Sequence, residues 1–239
     1  MAKTKNAQAN GGLEKALLSA SVPFAGIEGP VRGEILRLAS HRRLKAGDTL
    51  FRQADDARAF FLLLDGFVRL LRTTRQGEQV VLHHVTAGNL FGIAKATESK
   101  SYSVTARAAS DCLVLSWTSD LWDRIAELNP AFGAAARRTL GARMQEMTSK
   151  VVEMATRSVE QRIALALLRL TDKAGVATDV GTEVAFPITR QDISELTGAN
   201  THSVSRVMSA WQRSGIIQSH RRKVIVARPD LLADISMAA

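Results

Sequence analysis

Side chains that can bind nucleic acid are concentrated in one segment near the carboxyl end of the chain. Between Leu196 and Pro229 there is no Asp or Glu, whereas there are six Lys or Arg residues, including the consecutive run from Arg221 to Lys223. Guanidinium and ammonium groups neutralise phosphates, and an arginine can also donate two hydrogen bonds to a guanine. This pattern predicts a surface that binds DNA.

The elements that must position these donors carry the end signals of two short helices. Thr189 and Asp192 have the spacing of a capping box, Gly198 is typical of a helix end, and Asn200 or Thr201 can cap the next helix. Apolar residues of this second helix recur at three- and four-residue spacing, at Val204, Val207, Met208 and Trp211. Its outward residues are His202, Ser203, Ser205 and Arg206. A helix-turn-helix is predicted, with a two-stranded wing around the basic run; an ordinary helical hairpin is the alternative, which the charge pattern disfavours.

The composition suits a two-domain protein with an anionic partner. The 239 residues include 32 basic and 23 acidic side chains, for a formal net charge of +9, and 46% are hydrophobic. This balance fits DNA or a membrane surface, but no apolar run approaches the roughly 20 residues needed to cross a bilayer. The polar residues 1–12 are predicted to form a disordered tail, and we expect a cytoplasmic protein without a membrane partner. Because Cys112 is the only cysteine, an intrachain disulfide and an all-cysteine iron–sulfur cluster within one chain are excluded.

The segment from Arg43 to Trp117 has the short apolar runs that are typical of β-structure. The runs cover residues 60–64, 67–71, 79–85, 104–108 and 112–117, and turns are indicated at Gly47, Gly66, Gly77 and Gly88. This pattern predicts a small antiparallel roll or barrel. A helix is predicted before it, over Val31–Ala39.

A long helix is predicted from near Pro130 to beyond Met154. Its apolar residues step by four, three, four and three positions, as in the a/d seam of a coiled coil, at Leu140, Met144, Met147, Val151 and Met154. Such a seam indicates a partner helix, and a symmetric dimer would hold two DNA-reading helices about one turn of DNA apart. The alternative is that the stripe packs on the roll of its own chain. Thr156 and Arg157 mark a predicted hinge before a further helix through Leu170.

This order of elements resembles the cyclic-AMP receptor protein and FNR family of bacterial transcription regulators over nearly the whole chain. The resemblance is carried by the roll's glycines, Leu128-Asn129-Pro130, Gln161-Arg162-Ile163-Ala164 and Ile188-Thr189-Arg190-Gln191-Asp192-Ile193, with Gly198 and Arg206. Four further motifs are similar to the nitric-oxide-responsive regulators of denitrification: Ala87-Gly88-Asn89-Leu90-Phe91-Gly92-Ile93-Ala94, Val114-Leu115-Ser116-Trp117, Val151-Val152-Glu153-Met154 and Ser209-Ala210-Trp211. The resemblance implies a homodimer that binds a palindromic operator, contacts RNA polymerase and activates nitrogen-oxide respiration genes in response to nitric oxide or low oxygen.

The positions that hold the effector in cyclic-AMP-binding relatives differ in this chain. The resemblance places an effector pocket at Gly92, Ile93, Tyr102 and Ser103, where those relatives have a glutamate after the glycine and an arginine before the serine. Ile93 and Tyr102 supply neither a carboxylate for the ribose nor a positive charge for the cyclic phosphate. The resemblance therefore argues against cyclic AMP. The first hundred residues contain no cysteine, which argues against the iron–sulfur cluster of oxygen-sensing relatives.

Heme is the remaining sensor that the resemblance suggests, because iron with an open position binds nitric oxide. His83 and His84 are the candidate ligands, although neighbours on a predicted strand point to opposite faces. The same geometry disfavours a cupin-like metalloenzyme fused to a DNA-binding module, since such a site needs several convergent ligands. We therefore expect no enzyme. An effector-independent dimeric regulator, whose roll binds no ligand, is the other hypothesis left open.

The family positions also imply roles for residues in the DNA-binding half. Base contacts are expected from Arg206 to guanine, from His202, which replaces a common glutamate, and from Ser205. Phosphate contacts are expected from Arg190, Thr201, Ser203, Arg221, Arg222 and Lys223. The predicted fold is α+β: a tail at 1–12, a sensory β-roll similar to a cyclic-nucleotide-binding domain at 13–129, a dimerisation helix and hinge at 130–156, and a winged helix-turn-helix at 157–239.

Overall fold

The computed structural model describes residues 22–24, 26–27 and 29–238, which form two compact units. The first unit contains the described residues up to Arg72 together with His83–Met144, and the second contains Thr73–Leu82 and the described chain from Gln145 onward. The predicted tail at 1–12 lies outside the described residues. The division between the units falls inside the long helix, whereas the sequence placed it at the two ends of that helix.

Eight strands form two four-stranded antiparallel sheets, which lie in the first unit except for residues 73 and 79–82 of the fourth and fifth strands. Antiparallel β-structure over this segment is as predicted. The strands are β1 (Ser40–Leu44), β2 (Thr49–Phe51), β3 (Ala59–Asp65), β4 (Val68–Thr73), β5 (Gln79–Val85), β6 (Leu90–Phe91), β7 (Thr105–Ala108) and β8 (Cys112–Thr118). One sheet has the order β1-β8-β3-β6 and the other β2-β7-β4-β5. The turn from β3 to β4 requires glycine, because Gly66 has φ +88° and a Cβ there would lie 2.2 Å from the carbonyl oxygen of Asp111.

The helices of the first unit pack against one apolar cluster. They are α1 (Gly29–Arg37), α2 (Leu121–Leu128) and the start of α3 (Pro130–Thr156), with short 3-10 turns at Val22–Phe24 and Ala94–Thr97. Phe132 of α3 is fully buried in this cluster beside Phe24, Phe60 and Trp117, with its ring centroid 5.6 Å from that of Phe24. The long helix is therefore anchored to the roll by its first turns. Proline suits the first helical position because its missing N–H has no partner there anyway.

The second unit carries a small sheet and two short helices that form a winged helix-turn-helix. Its elements are α4 (Val159–Ala174), β9 (Gly175–Thr178), β10 (Gly181–Val184), α5 (Arg190–Thr197), α6 (Thr201–Arg213), β11 (Ile217–His220), β12 (Lys223–Val226) and α7 (Pro229–Met237). The sheet order is β11-β12-β10-β9. The predicted fold class is confirmed. Strands β9 and β10 were not predicted, because only Val184 among their eight residues is buried and they show no apolar alternation. No helix among the described residues is both long and apolar enough to cross a membrane.

Candidate nucleic-acid interface

Helix α5 begins at the predicted capping box. The backbone N–H of Thr189 donates to Oδ2 of Asp192 at 2.7 Å, and the N–H of Asp192 donates to Oγ1 of Thr189 at 3.1 Å. These two N–H groups have no carbonyl acceptor within the helix, and the capping box supplies an acceptor for each. The Asp192 side chain is buried, so this cap fixes the start of the helix within the core of the second unit.

The turn between the two helices has the geometry that its glycine predicts. Gly198 adopts φ +64°, and its N–H donates to the carbonyl oxygen of Ser194 at 2.9 Å. Asn200 caps α6, because its side chain accepts from the N–H of Ser203 at 2.8 Å. Of the two predicted caps, Asn200 and Thr201, the first is therefore the cap. Thr201 is the first residue of α6, and its hydroxyl donates to Oε1 of Gln191 at 2.9 Å.

Helix α6 divides into a buried face and an exposed face. Val204, Met208 and Trp211 are buried, and the indole N–H of Trp211 donates to Oε1 of Glu160 on α4 at 3.1 Å. The core therefore fixes the rotation of α6 about its own axis. Sequence reasoning missed Glu160, because its contact with Trp211 joins residues 51 positions apart and no local pattern marks it.

The exposed face of α6 presents the side chains that were assigned to base contacts. His202 and Arg206 are exposed, four residues apart, and Ser205 between them is half-buried. Residues at this spacing lie on one face of a helix, so a single groove can receive all three. The helix thus offers a guanidinium fork, an imidazole and a hydroxyl on one surface.

The residues assigned to phosphate contacts fall into two groups. Within the helix-turn-helix, Arg190 donates through Nη1 to the carbonyl oxygen of Ser205 at 3.4 Å, while Ser203 is half-buried beside its cap. Arg190 therefore lies against α6, next to the base-contacting face. Gln191, which sequence reasoning did not select, holds the Thr201 hydroxyl.

The wing carries the second group at the turn between β11 and β12. Arg221 and Arg222 are exposed with φ +43° and +73°, and they form the two central residues of this tight hairpin. The carbonyl oxygen of Arg222 accepts from the N–H of Ile188 at 2.8 Å, which ties the turn to the segment before α5. Lys223 forms an ion pair with Glu183 at 2.9 Å, so its charge is partly compensated within the protein.

The positions assigned to an effector pocket are part of two apolar clusters. Ile93 is 4% exposed in the cluster that holds α3, and Tyr102 is 6% exposed in the second cluster of the roll. The ring of Tyr102 stacks on Phe51 with centroids 3.8 Å apart, and its hydroxyl donates to the carbonyl oxygen of Ala59 at 2.6 Å. Burial raises the pKa of this phenol.

Gly92 and Ser103 complete the predicted pocket. A Cβ at Gly92 would lie 2.8 Å from the ring of Phe61, so this glycine packs closely against the aromatic cluster. Ser103 is exposed. The four predicted positions therefore divide between the apolar interior and the surface.

The two candidate heme ligands lie on β5, and their burial differs as alternation predicts. His84 is buried and His83 half-buried. A heme needs an apolar slot of its own size beside such a histidine. The apolar interior of the roll is instead filled by stacked rings, those of Phe51, Phe61, Phe91 and Tyr102. The described residues therefore do not fit a heme in this interior. They also contain no group of three or more His, Cys, Asp or Glu that could hold a metal ion.

The predicted dimerisation seam runs along the exposed side of α3. Met144, Met147, Val151 and Met154 are 73%, 49%, 67% and 57% exposed. Leu140 differs, since it is half-buried and packs against the apolar cluster of the first unit. The exposed apolar stripe therefore begins at Met144, whereas the predicted seam began four residues earlier, at Leu140.

Comparison with known proteins gives two family matches along the chain. The model of the cyclic nucleotide-binding domain matches residues 41–129, and that of the Crp-like helix-turn-helix domain matches residues 161–235. The first covers the roll and the second covers α4 to α7. The two family matches therefore support the predicted combination of a roll with a helix-turn-helix.

Two curated proteins and a solved structure are similar to this chain. The chain is 24% identical over 183 residues to the transcriptional activator protein FnrA of Stutzerimonas stutzeri, covering 77% of this chain and 75% of that protein. It is 24% identical over 179 residues to the cAMP-activated global transcriptional regulator CRP of Salmonella typhimurium, covering 74% and 85%. Its fold is similar to that of FixK2 from Bradyrhizobium japonicum, with a TM-score of 0.73 and 18% identity over 84% of this chain and 98% of that one.

Proposed function

Because the chain belongs to the CRP/FNR family of DNA-binding transcription regulators, we propose that it binds a palindromic operator as a homodimer and reads bases with α6. The observation that carries this proposal is the exposed face of α6, where His202, Ser205 and Arg206 project from a helix whose opposite face is locked into the core. A rigid helix that presents donors on one side is the geometry that enters a major groove.

Each base-contacting side chain has a distinct role. Arg206 donates two hydrogen bonds to O6 and N7 of a guanine, which contributes about 1–3 kcal/mol of discrimination. His202 can donate or accept, so the base pair it faces differs from the one that a glutamate reads through cytosine N4. Ser205 is small enough to let α6 approach the base edges closely.

The positive charges around α6 position the protein without reading sequence. Arg221 and Arg222 project from the wing turn, and Arg190 and Thr201 lie at the start of the two helices of the motif. Contacts of this kind fix the register of a protein on the duplex and make its affinity depend on salt. The compensated charge of Lys223 contributes less to this surface than its two neighbours.

A homodimer accounts for the exposed apolar stripe on α3. Large apolar side chains at coiled-coil spacing are stabilised when a partner helix removes them from water. A twofold axis along α3 would present two copies of α6 to successive grooves on one side of the duplex. The methionines of the stripe adapt their packing easily, which suits an interface that two identical helices share.

Selection from a random duplex library, followed by footprinting, tests the proposal. We expect enrichment of a palindrome whose half-sites lie about 10–10.5 base pairs apart, centre to centre. Enrichment of a single asymmetric half-site, or protection that follows only salt and not sequence, would overturn it.

We further propose that the regulator activates transcription through contact with RNA polymerase and serves nitrogen-oxide respiration, in response to nitric oxide or low oxygen. Support comes from the four sequence motifs similar to nitric-oxide-responsive regulators and from the relative FnrA, a transcriptional activator. A reporter driven by the selected operator should rise when nitric oxide is supplied to cells that carry the protein. An unchanged reporter in those cells would contradict this role.

A specific observation favours a second candidate, an effector-independent regulator. At two of the four positions of the predicted effector pocket stand a buried aliphatic side chain, Ile93, and a stacked ring, Tyr102, so a ligand there would have to displace core side chains. In that case the purified protein binds its operator tightly without any added molecule. A titration with and without a nitric-oxide donor separates the candidates: equal affinities support effector independence, and a change of tenfold or more contradicts it.

A further inference from the structure

Two ion pairs bridge the bend that was predicted to be a hinge. Helix α3 ends at Thr156 and α4 begins at Val159. Glu153 on α3 accepts from both terminal nitrogens of Arg169 on α4, with Nη1 3.0 Å from Oε2. Glu146, two turns earlier on α3, pairs with Lys173 on α4, with Nζ 3.0 Å from Oε1. The last turns of α3 and α4 are therefore joined at two points.

These ion pairs fix the relative orientation of α3 and α4 more firmly than fully exposed ion pairs would. The side chains of Glu146 and Glu153 are only 21% and 17% exposed, and the contact between Glu153 and Arg169 uses both terminal nitrogens and both carboxylate oxygens. Partial burial reduces screening by solvent, and the two-point contact fixes the relative orientation of the planar groups. Exposed single contacts contribute little by comparison.

Two further contacts hold the same stretch of α3 within the second unit. Lys150, which lies between the two glutamates, donates to the carbonyl oxygens of Leu82 at 2.8 Å and Val81 at 3.4 Å. At the end of α3, the Cε atom of Met154 lies 2.9 Å from where a Cβ of Gly198 would be. The turn between α5 and α6 is thus in contact with α3, and glycine leaves the space for that contact.

We propose that Glu146, Glu153, Arg169 and Lys173 form a clamp across this bend, which sets the spacing between half-sites that the regulator accepts. This inference rests on the proposed dimer. If α3 carries the dimer seam, the angle between α3 and α4 decides where each copy of α6 lies relative to the twofold axis. A clamped bend presents one separation of the two recognition helices, whereas a free hinge accepts several.

The consequence for specificity follows from the geometry of DNA. One inserted base pair moves a half-site by about 3.4 Å along the axis and rotates it by about 34°. A rigid pair of arms loses contacts in one half-site when this happens. A loosened pair follows the half-site at a smaller loss of affinity, so opening the clamp should relax discrimination between spacers while leaving contacts to each half-site unchanged.

The clamp itself is tested within one chain and without DNA. Spin labels at Ser149→Cys on α3 and Gln218→Cys on β11, in a Cys112→Ser background and diluted with unlabelled protein, report the distance across the bend. We expect the distance distribution to broaden about twofold in Glu146→Gln/Glu153→Gln, because uncharged amides replace both carboxylates. If the double variant folds poorly, Arg169→Gln replaces it, because this change removes the ion pair with Glu153 from the side of α4. It should also broaden the distance distribution.

The effect on specificity is tested with the full-length dimer on duplexes whose half-sites are separated by the selected spacer or by one base pair more. We expect the ratio of the two affinities to fall about fivefold in Glu146→Gln/Glu153→Gln. Glu34→Gln is the matched control, because it breaks the ion pair with Arg124, 2.7 Å long, in the first unit. It should leave the ratio and the distance distribution unchanged.

The outcomes separate the clamp from the function on which it rests. A distance distribution as narrow in the double variant as in the wild type would overturn the clamp, whatever the protein binds. A broadened distribution with an unchanged spacer ratio in an intact dimer would overturn its role in specificity. A wild-type protein that sediments as a monomer with its operator would instead contradict the proposed dimer, and the distance measurement would still decide the clamp.

Discussion

The helix-turn-helix and the roll differ in the exposure of the residues that the family resemblance assigned to binding. In α6, His202 and Arg206 remain exposed, on a helix whose other face is buried. In the roll, Ile93 and Tyr102 are two positions that the family resemblance assigned to an effector pocket, and both are buried in apolar clusters. One unit therefore exposes positions that the resemblance marked, and the other buries them.

The side chains at these two positions of the roll are stable in an apolar interior without a ligand. A carboxylate and a guanidinium inside the roll are stable only when a ligand or a counter-ion pairs with them. The isoleucine and tyrosine need no such partner, since the ring of Tyr102 stacks on Phe51 and its hydroxyl has a backbone acceptor. Substitutions in the roll should accordingly change stability, and substitutions on α6 should change DNA binding.

The largest expected effect comes from the stripe that would join two chains. Met147→Glu with Val151→Glu places charges in the proposed seam, and we expect monomers whose affinity for the palindrome falls about a hundredfold or more, because both half-sites no longer bind as one unit. Sedimentation and a binding titration measure the two effects. Gln145→Glu with Ser149→Glu, at exposed positions outside the stripe, should leave the dimer intact. A dimer that persists in the first variant would show that the seam lies elsewhere.

Replacing Tyr102 by alanine tests the roll as a core. We expect a loss of about 3–5 kcal/mol in the free energy of unfolding, measured with urea, because a cavity remains beside Phe51. Tyr102→Phe, which removes only the hydrogen bond to Ala59, should cost about 1 kcal/mol. The fraction that stays folded should bind DNA with unchanged affinity. Unchanged stability in the alanine variant would mean that the ring does not belong to the core.

Replacing Arg206 by alanine tests α6 as the surface that reads bases. We expect about 1–3 kcal/mol of base discrimination to disappear, while weak binding to unrelated duplexes persists. Arg206→Lys keeps the charge but cannot donate in a fork, so its preference for guanine should also weaken. Competition titrations against single-base operator variants measure both. A footprint at the wild-type site in the alanine variant would remove the assignment.

The smallest expected effect concerns the wing. Arg221→Asn with Arg222→Asn should weaken binding to every duplex alike and lower the slope of log affinity against log salt by about two, since each phosphate contact contributes about 0.9. Asparagine is chosen because it tolerates the positive φ of this turn. Arg42→Gln with Arg43→Gln, an exposed pair on β1, is the matched control. An unchanged salt slope in the wing variant would place its arginines away from the phosphates.

Local signals made the recognition motif predictable from sequence. Thr189 and Asp192 form the predicted cap, and Gly198 ends α5 in the predicted left-handed conformation, because each depends on neighbours within a few residues. The long helix also follows the prediction, from Pro130 to Thr156. Five strands of the roll, β3, β4, β5, β7 and β8, match predicted apolar runs to within two residues. Strands β1, β2 and β6 were not predicted, because β1 is mainly exposed and the other two have only three and two residues.

Contacts between distant residues were not predictable. The pairing of Glu153 with Arg169 joins residues 16 positions apart across a bend, and either charge alone resembles a solvated side chain. The resemblance assigned Tyr102 to an effector pocket, and its burial and its stacking on Phe51 show that it is a core residue. Helix α2 was missed because it has neither the capping box nor the terminal glycine that mark α5, a helix of the same length.

Stoichiometry on DNA tests the central claim most directly. Sedimentation of the protein with a duplex that carries the full selected palindrome should show two chains per duplex. A duplex with only one intact half-site should bind about a hundredfold more weakly. One chain per duplex, with equal affinity for the full and the half palindrome, would contradict a dimer that reads DNA through two copies of α6.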